Sequence, residues 1–205
     1  MARELFDTYD DDMHWTGTAT RQAVHRLGLW HQTFHCWILH RTAAGDFLVV
    51  QRRHRTKDTH PNLLDISAAG HLAAGETRAD GVRELEEELG LAVAYADLKP
   101  LGIYRYVDES GGVKDHEFCH LHVLIRADGH LADYRPALGE VSGLYEVRLE
   151  DMQNLCRGRG EPIQAAGFEV DDNGHQTRRE LQVGRGDMVA FGTAYYEMLF
   201  QGIGE

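Results

Sequence analysis

The 205-residue chain has no apolar run near the roughly 20 residues that span a bilayer, so no membrane-crossing helix is expected. Its opening, MARELFDTYDDD, lacks the basic-then-apolar order of an export signal. Cysteine is scarce: Cys36, Cys119 and Cys156 cannot all pair and none falls in a CxxC, so reduced thiols and a cytoplasmic location are the expectation. Positive charge is short too, with 21 Lys and Arg against 33 Asp and Glu and a formal net charge of −12. A surface of that sign repels phosphate backbones, which argues against a nonspecific nucleic-acid binder. It leaves room for a small anionic substrate, because a local basic patch or a bound cation overrides the global sign. Repeats, low-complexity tracts and linkers are absent, and the length fits one domain over 1–205.

What is present reads mostly as strands. Residues 3–20 suggest a short hairpin with the acidic run at its turn, and TFHCWILHR and DFLVVQRR, split by TAAG, suggest another. LGIYRYV, EFCHLHVLIRA and EVSGLYEVRL are further strand candidates, on which Cys36 and Cys119 count as buried strand residues. DMVAFGTAYYEMLFQGI has helical spacing, which predicts a helix over about 187–202 with Asp187 as its N-cap. Residues 157–186 are polar and Gly-rich and read as an irregular excursion. Mixed strands with few helices place the fold in the α/β or α+β class.

Residues 70–91, GHLAAGETRADGVRELEEELGL, carry five glutamates, four of them (Glu84, Glu86, Glu87, Glu88) within five positions. Thr77-Arg78-Ala79-Asp80 resembles a capping box, and Gly90 is a natural helix stop. At about 100° per residue, Val82, Leu85 and Leu89 share one arc and Glu84, Glu87 and Glu88 the opposite one. Like charges at i,i+4 destabilise a helix by about 0.2–0.5 kcal/mol per pair. A hard divalent cation, which takes oxygen ligands, removes that penalty. A solvated amphipathic helix is the plain alternative, and the surrounding pattern weighs against it.

Gly70, five residues, Glu76, six residues and then Arg83-Glu84-Leu85-x-Glu87-Glu88-x-Gly90-Leu91 closely resembles the Nudix box, which has seven residues in its second gap. The resemblance implies a Nudix α/β/α sandwich with a mixed sheet, and metal-dependent cleavage of a nucleoside diphosphate linked to another moiety. It makes Glu84, Glu87 and Glu88 ligands of Mg²⁺ or Mn²⁺, with the Gly70 carbonyl as a further ligand, and Arg83 the group that orients a carboxylate. The shortened gap bears on Glu76 more than on the helical glutamates.

Over roughly residues 5–150 the likeness sharpens. GTATRQAVHRLGLWHQTFHCWIL, LVVQRRHRTKDTHPNLLDISAAGHLAAGE and KDHEFCHLHVL are similar to the isopentenyl-diphosphate isomerase-like branch of the superfamily. Type I isomerases of that branch hold a metal through three histidines and two acidic residues, and His25, His31, His71, Asp115 and Glu117 fall at the matching positions. The branch's acid–base cysteine is replaced by Ala69, which can do no proton transfer, whereas the glutamate-rich box that isomerases lack is complete. Hydrolysis therefore leads, with isomerisation and a non-catalytic nucleotide-binding module as rivals. For His25 and His31 plain hydrogen bonding to backbone is expected, and for His71 a turn role, since spacing shows no convergence.

QRRHRTKD, residues 51–58, is the most basic stretch. Alternation sends one of Arg52 and Arg53 inward and the other outward. By the resemblance, Arg53 and Lys57 contact a substrate diphosphate, the arginine bidentately and the lysine as a point charge. Glu87, Glu88, Glu117 and Glu140 are candidates to take a proton from water, and Glu117 is also a candidate metal ligand. Trp30, Trp37, Tyr104 and Tyr106 could stack a base or fill a core. The substrate is expected to be a small diphosphate, and a homodimer through the apolar C-terminal helix is the assembly suggested.

Overall fold

A computed structural model describes residues 4–109, 112, 114–160 and 162–204 of the protein. Strand β3 (His31–Thr42) runs through its centre, and every residue from Thr33 to His40 is buried. A strand covered on both faces reads as a near-continuous apolar run, which is what FHCWIL shows. The main sheet is mixed. Its order is β11 (Gln176–Val183), β10 (Ile163–Val170), β9 (Val141–Arg148), β4 (Gly45–Arg53), β3, β8 (Asp115–Ala127) and β7 (Lys99–Asp108). The short strands β5 (Leu64–Asp65) and β6 (Ala68–His71) add to β4 and β3. Only the β3–β8 pair is parallel among the described residues.

Helices cover both faces. Leu85 and Leu89 of α2 (Arg83–Leu89) pack with Phe34, Cys36 and Ile38 on one side of β3. Met152 and Leu155 of α3 (Leu149–Cys156) and Tyr195 and Leu199 of α4 (Thr193–Gly204) pack with Trp37 and Leu39 on the other. The expected α/β/α sandwich follows from this alternation of apolar residues about β3. Ahead of it, β1 (Leu5–Tyr9) and β2 (Trp15–Thr20) form an antiparallel hairpin, followed by α1 (Arg21–Leu27), which Thr20 caps.

Three expectations are corrected. Residues 157–186 contain the β10–β11 hairpin rather than an irregular excursion. β11, QTRRELQV, is an edge strand with nearly every residue exposed, so it has no apolar face to betray it. The C-terminal helix spans Thr193–Gly204 instead of 187–202, because Asp187 closes a 3-10 turn on Gly184 N (2.8 Å) and the chain then runs on beside Leu64, with Val189 N donating to Leu64 O at 2.9 Å. The apolar residues of α4 are buried within their own chain, which removes the ground for a dimer through that helix. No helix among the described residues is long and apolar enough to cross a membrane.

Candidate active site

A cavity of about 570 Å³ lies at the end of the sheet where β3 and β8 begin and β4 ends. The helix α2 supplies one part of its wall. A 3-10 turn at Asp80–Val82 leads into it, the Asp80 carboxylate accepting from Thr77 N (2.8 Å) and Oγ1 (2.7 Å). Gly90 stops it in the left-handed conformation, φ 65°. Glu84 and Glu88 are buried and Glu87 is exposed. A Cβ at Gly70 would overlap the Glu84 carboxylate, so only glycine lets β6 pass this close. Glu88 Oε2 accepts from Gln51 Nε2 (2.9 Å) and Ala69 N (3.2 Å). Burial, then the charge of Glu84, push the Glu88 carboxyl up to about 8, and burial raises Glu84 as well.

Arg83 braces this group. It donates to both oxygens of Glu76 (3.1 and 3.0 Å), to Glu87 (3.1 Å), to the His71 carbonyl (2.9 Å) and to Glu84. The guanidinium in turn holds the Glu76 carboxyl below the usual range. Despite the shortened gap, Glu76 is joined to the box through Arg83 and also accepts from Ala73 N at 2.7 Å. Arg53 and Lys57 line the same cavity. Arg53 is fixed by Asp65 (2.8 Å) and by Thr59 O (3.0 Å) and Oγ1 (3.1 Å), and Lys57 donates to Glu140. Arg52 points away, to Glu169 at 2.6 Å, as strand alternation requires.

The histidines depart from expectation. His25 of α1, His31 of β3, His71 of β6 and Asp115 of β8 bring one donor atom each to within 4.8 Å of one another. Their Nε2 atoms and Asp115 Oδ1 are buried with no hydrogen-bond partner among the described residues. His31 Nε2 lies 3.5 Å from Asp115 Oδ1 and 3.9 Å from Glu117 Oε1, and His25 Nε2 lies 3.7 Å from Asp115 Oδ1. The backbone bond expected of His31 is present at its other nitrogen, Nδ1 donating to Leu29 O at 3.1 Å, and this leaves the Nε2 lone pair facing inward. His71 differs: Arg21 donates to its Nδ1 at 3.1 Å, so the ring hydrogen sits on Nε2, 3.8 Å from Glu117 Oε1. Phe6 stacks on His71 (4.7 Å, 5°) and His31 (5.5 Å, 7°) and closes the group. Burial lowers His31 to about 3 and His71 well below the usual value; it raises Asp115 to about 6 and Glu117 well above the carboxylate range.

Arg21, His35, Asp65, Val189 and Phe191 also line the cavity and were not singled out from the sequence. For His35 a signal existed, since residues 31, 33 and 35 share one face of a strand. Of the aromatics, Tyr106 reaches the cavity, Trp37 is fully buried core, and Trp30 stacks on Phe118 (4.6 Å) outside it.

A mixed sheet between helices, with a glutamate helix against a Gly70 strand, defines a Nudix-type enzyme. The Nudix domain family model matches residues 29–165, and the chain belongs to that family, an enzyme of the Nudix hydrolase class. It is 33% identical over 203 residues to an uncharacterized Nudix hydrolase of Clostridium acetobutylicum, covering 99% of this chain and 98% of that one. It is also 34% identical over 154 residues to an isopentenyl-diphosphate Delta-isomerase of Cutibacterium acnes, covering 72% and 75%. In fold it is similar to the crystal structure of DR0079 from Deinococcus radiodurans, with a TM-score of 0.57, 20% identity and coverage of 76% and 90%.

Proposed function

We propose that the protein hydrolyses a diphosphate linkage in a nucleoside diphosphate derivative or similar small molecule, with Mg²⁺ or Mn²⁺ held by Glu84, Glu87 and Glu88. One observation carries the reading: Glu84 is buried against Gly70 and Glu88 on the adjacent Ala69 amide, in a cavity that also presents Arg53 and Lys57. Two buried carboxylates of raised pKa are poised for a cation, and an all-oxygen donor set suits a hard one. Such an ion, when bound, lowers the pKa of water and neutralises phosphate charge. Gln51 and the Ala69 amide fix Glu88, Arg83 fixes Glu84 and Glu87, and the Gly70 carbonyl is the further ligand in this reading. Arg53 and Lys57 bind the diphosphate, and Glu117 or Glu140 takes the proton from water. Three free, buried cysteines fit work in a reducing cytoplasm.

A second reading, isomerisation of an allylic diphosphate, is favoured by the converging His25, His31 and Asp115 atoms, an N and O donor set that suits a transition cation. Ala69 and the Arg21-held His71 weigh against it. Phosphorus NMR with Mg²⁺ or Mn²⁺, over nucleoside diphosphates, nucleotide sugars, dinucleotides and isopentenyl diphosphate, separates them. Phosphate or monophosphate release that is lost in Glu87→Gln and Glu88→Gln establishes hydrolysis. Double-bond migration in proton NMR without release establishes the isomerase, and a rise in Tm with neither points to a binding module.

A further inference from the structure

Thr33, His35 and Trp37 are alternate residues of β3 and share a face on which Tyr195 of α4 packs. Trp37 Nε1 donates to the Tyr195 oxygen at 3.1 Å, and that oxygen lies 3.0 Å from His35 Nδ1. Across the ring, His35 Nε2 lies 3.3 Å from Thr33 Oγ1, whose hydroxyl donates to Glu117 Oε2 at 3.4 Å. The indole at one end only donates, and at the other Glu117 Oε2 accepts from the Thr33 hydroxyl and from Cys119 Sγ (3.4 Å), so the direction of every link is set. Tyr195 accepts from Trp37 and donates to His35 Nδ1; His35 then carries its hydrogen on Nε2 and donates it to Thr33 Oγ1. With the hydrogen on Nδ1, Tyr195 would receive two donors, and its own buried hydroxyl hydrogen would have no acceptor among the described residues.

We propose that Tyr195 and His35 are positioning residues of the Nudix site, which through Thr33 engage Glu117 Oε2 and turn Oε1 toward His31 and His71. Oε1 lies 3.9 Å from His31 Nε2 and 3.8 Å from His71 Nε2, so one carboxylate joins the relay to the histidine group. His35 faces Ala69 across the β3–β6 ladder, where no larger side chain competes for its place. The relay also draws in a part of the chain beyond residues 29–165 of the family match: Tyr195 makes α4 part of the active centre.

The direct test is nitrogen-15 NMR of the His35 ring in the full chain, wild type and Tyr195→Phe, without metal. The relay requires hydrogen on Nε2 alone in the wild type, and in Tyr195→Phe a shifted Nδ1 resonance, because that nitrogen has lost the hydroxyl that donates to it. Hydrogen on Nδ1 in the wild type overturns it, as does an Nδ1 resonance unmoved in the variant; if Tyr195→Phe does not fold, the wild-type spectrum alone decides. The kinetic consequence rests on the hydrolase reading. With Mn²⁺ and a substrate the wild type turns over, Tyr195→Phe lowers kcat roughly 10- to 100-fold, the range for groups that orient a metal-site ligand, with KM little changed. His35→Gln, which keeps a donor, retains more of kcat than His35→Phe. A wild type without turnover would sink the hydrolase reading and leave the tautomer to judge the relay.

Discussion

At one side of the cavity three carboxylates, Glu84, Glu87 and Glu88, come from a single seven-residue helix; at the other, His25, His31, His71 and Asp115 come from α1, β3, β6 and β8. The helix sets its own spacing, since positions three and four apart share a face whatever it packs against. The four-element group exists only once the sheet is in register. Parallel pairing puts His31 opposite Glu117, and antiparallel pairing puts Thr33 opposite His71. In the first group Arg83 braces Glu84 and Glu87 while Gln51 and the Ala69 amide hold Glu88; in the second, Phe6 stacks on His31 and His71. A site made by local periodicity keeps one ligand exposed, as Glu87 is, whereas in the site made by register His31 is buried on its strand and His25, His71 and Asp115 are half-buried at the cavity wall.

If the helical group does the chemistry, Glu88→Gln should lower turnover by about 10²–10⁴-fold, the range for a group that handles a proton or holds the ion that does. His31→Gln should lower hydrolysis by no more than about 10- to 100-fold, the range for loss of a supporting group. The comparison breaks if the two swap places in steady-state assays.

That asymmetry also explains what was legible. The box helix, its apolar arc of Leu85 and Leu89 and the strands on either side of it are periodic patterns, visible residue by residue. The convergence of His25 with His71, 46 positions apart in sequence, depends on strand pairing that no local spacing encodes. β11 was invisible for a different reason: an exposed edge strand has no apolar side to alternate. Val189 and Phe191 gave a misleading signal. Their spacing continues the helical pattern of α4, yet they line the cavity in extended chain held to β5 through Leu64.

Gly70→Ala tests the junction of the two groups, because Gly70 touches Glu84 and its neighbour His71 belongs to the other cluster. The added methyl must displace the carboxylate or β6, an overpacking that destabilises by about 1–3 kcal/mol. Urea denaturation should show that loss, together with weaker Mg²⁺ affinity by calorimetry. Stability and affinity both at wild-type levels would mean that Glu84 is free to move and is not held in place for an ion.

The pH dependence of stability separates the groups without any substrate. Glu88 releases its proton near pH 8 in the folded chain and near pH 4.3 unfolded. Between those values the folded chain binds more protons, so stability of the metal-free protein falls as pH rises through the window. Asp115, at about 6, acts with the same sign over the lower part of it. A divalent cation binds the ionised carboxylates and offsets the loss, so the Tm gain from Mg²⁺ should be larger at pH 8 than at pH 5. In Glu88→Gln that difference should shrink. If it shrinks in His31→Gln and persists in Glu88→Gln, the cation resides at the histidine side.

The smallest effect on stability is expected at Lys57. Its pair with Glu140 is partly open, the side chains 26% and 51% exposed, and such pairs contribute about 0–1 kcal/mol. Lys57→Met should therefore leave the urea midpoint nearly unchanged. It removes one positive charge from a cavity in which Glu84, Glu87, Glu88 and Glu140 supply the opposite sign, so KM for a diphosphate should rise with kcat less affected. Because Glu140 then loses its partner, a rise in KM also reports that the basic group serves the ligand and does not merely tie the 54–60 loop to β9. A lowered midpoint with unchanged KM would assign Lys57 to the loop, and would leave Arg53, bonded to Asp65 and Thr59, as the cation that meets the substrate on the helical side.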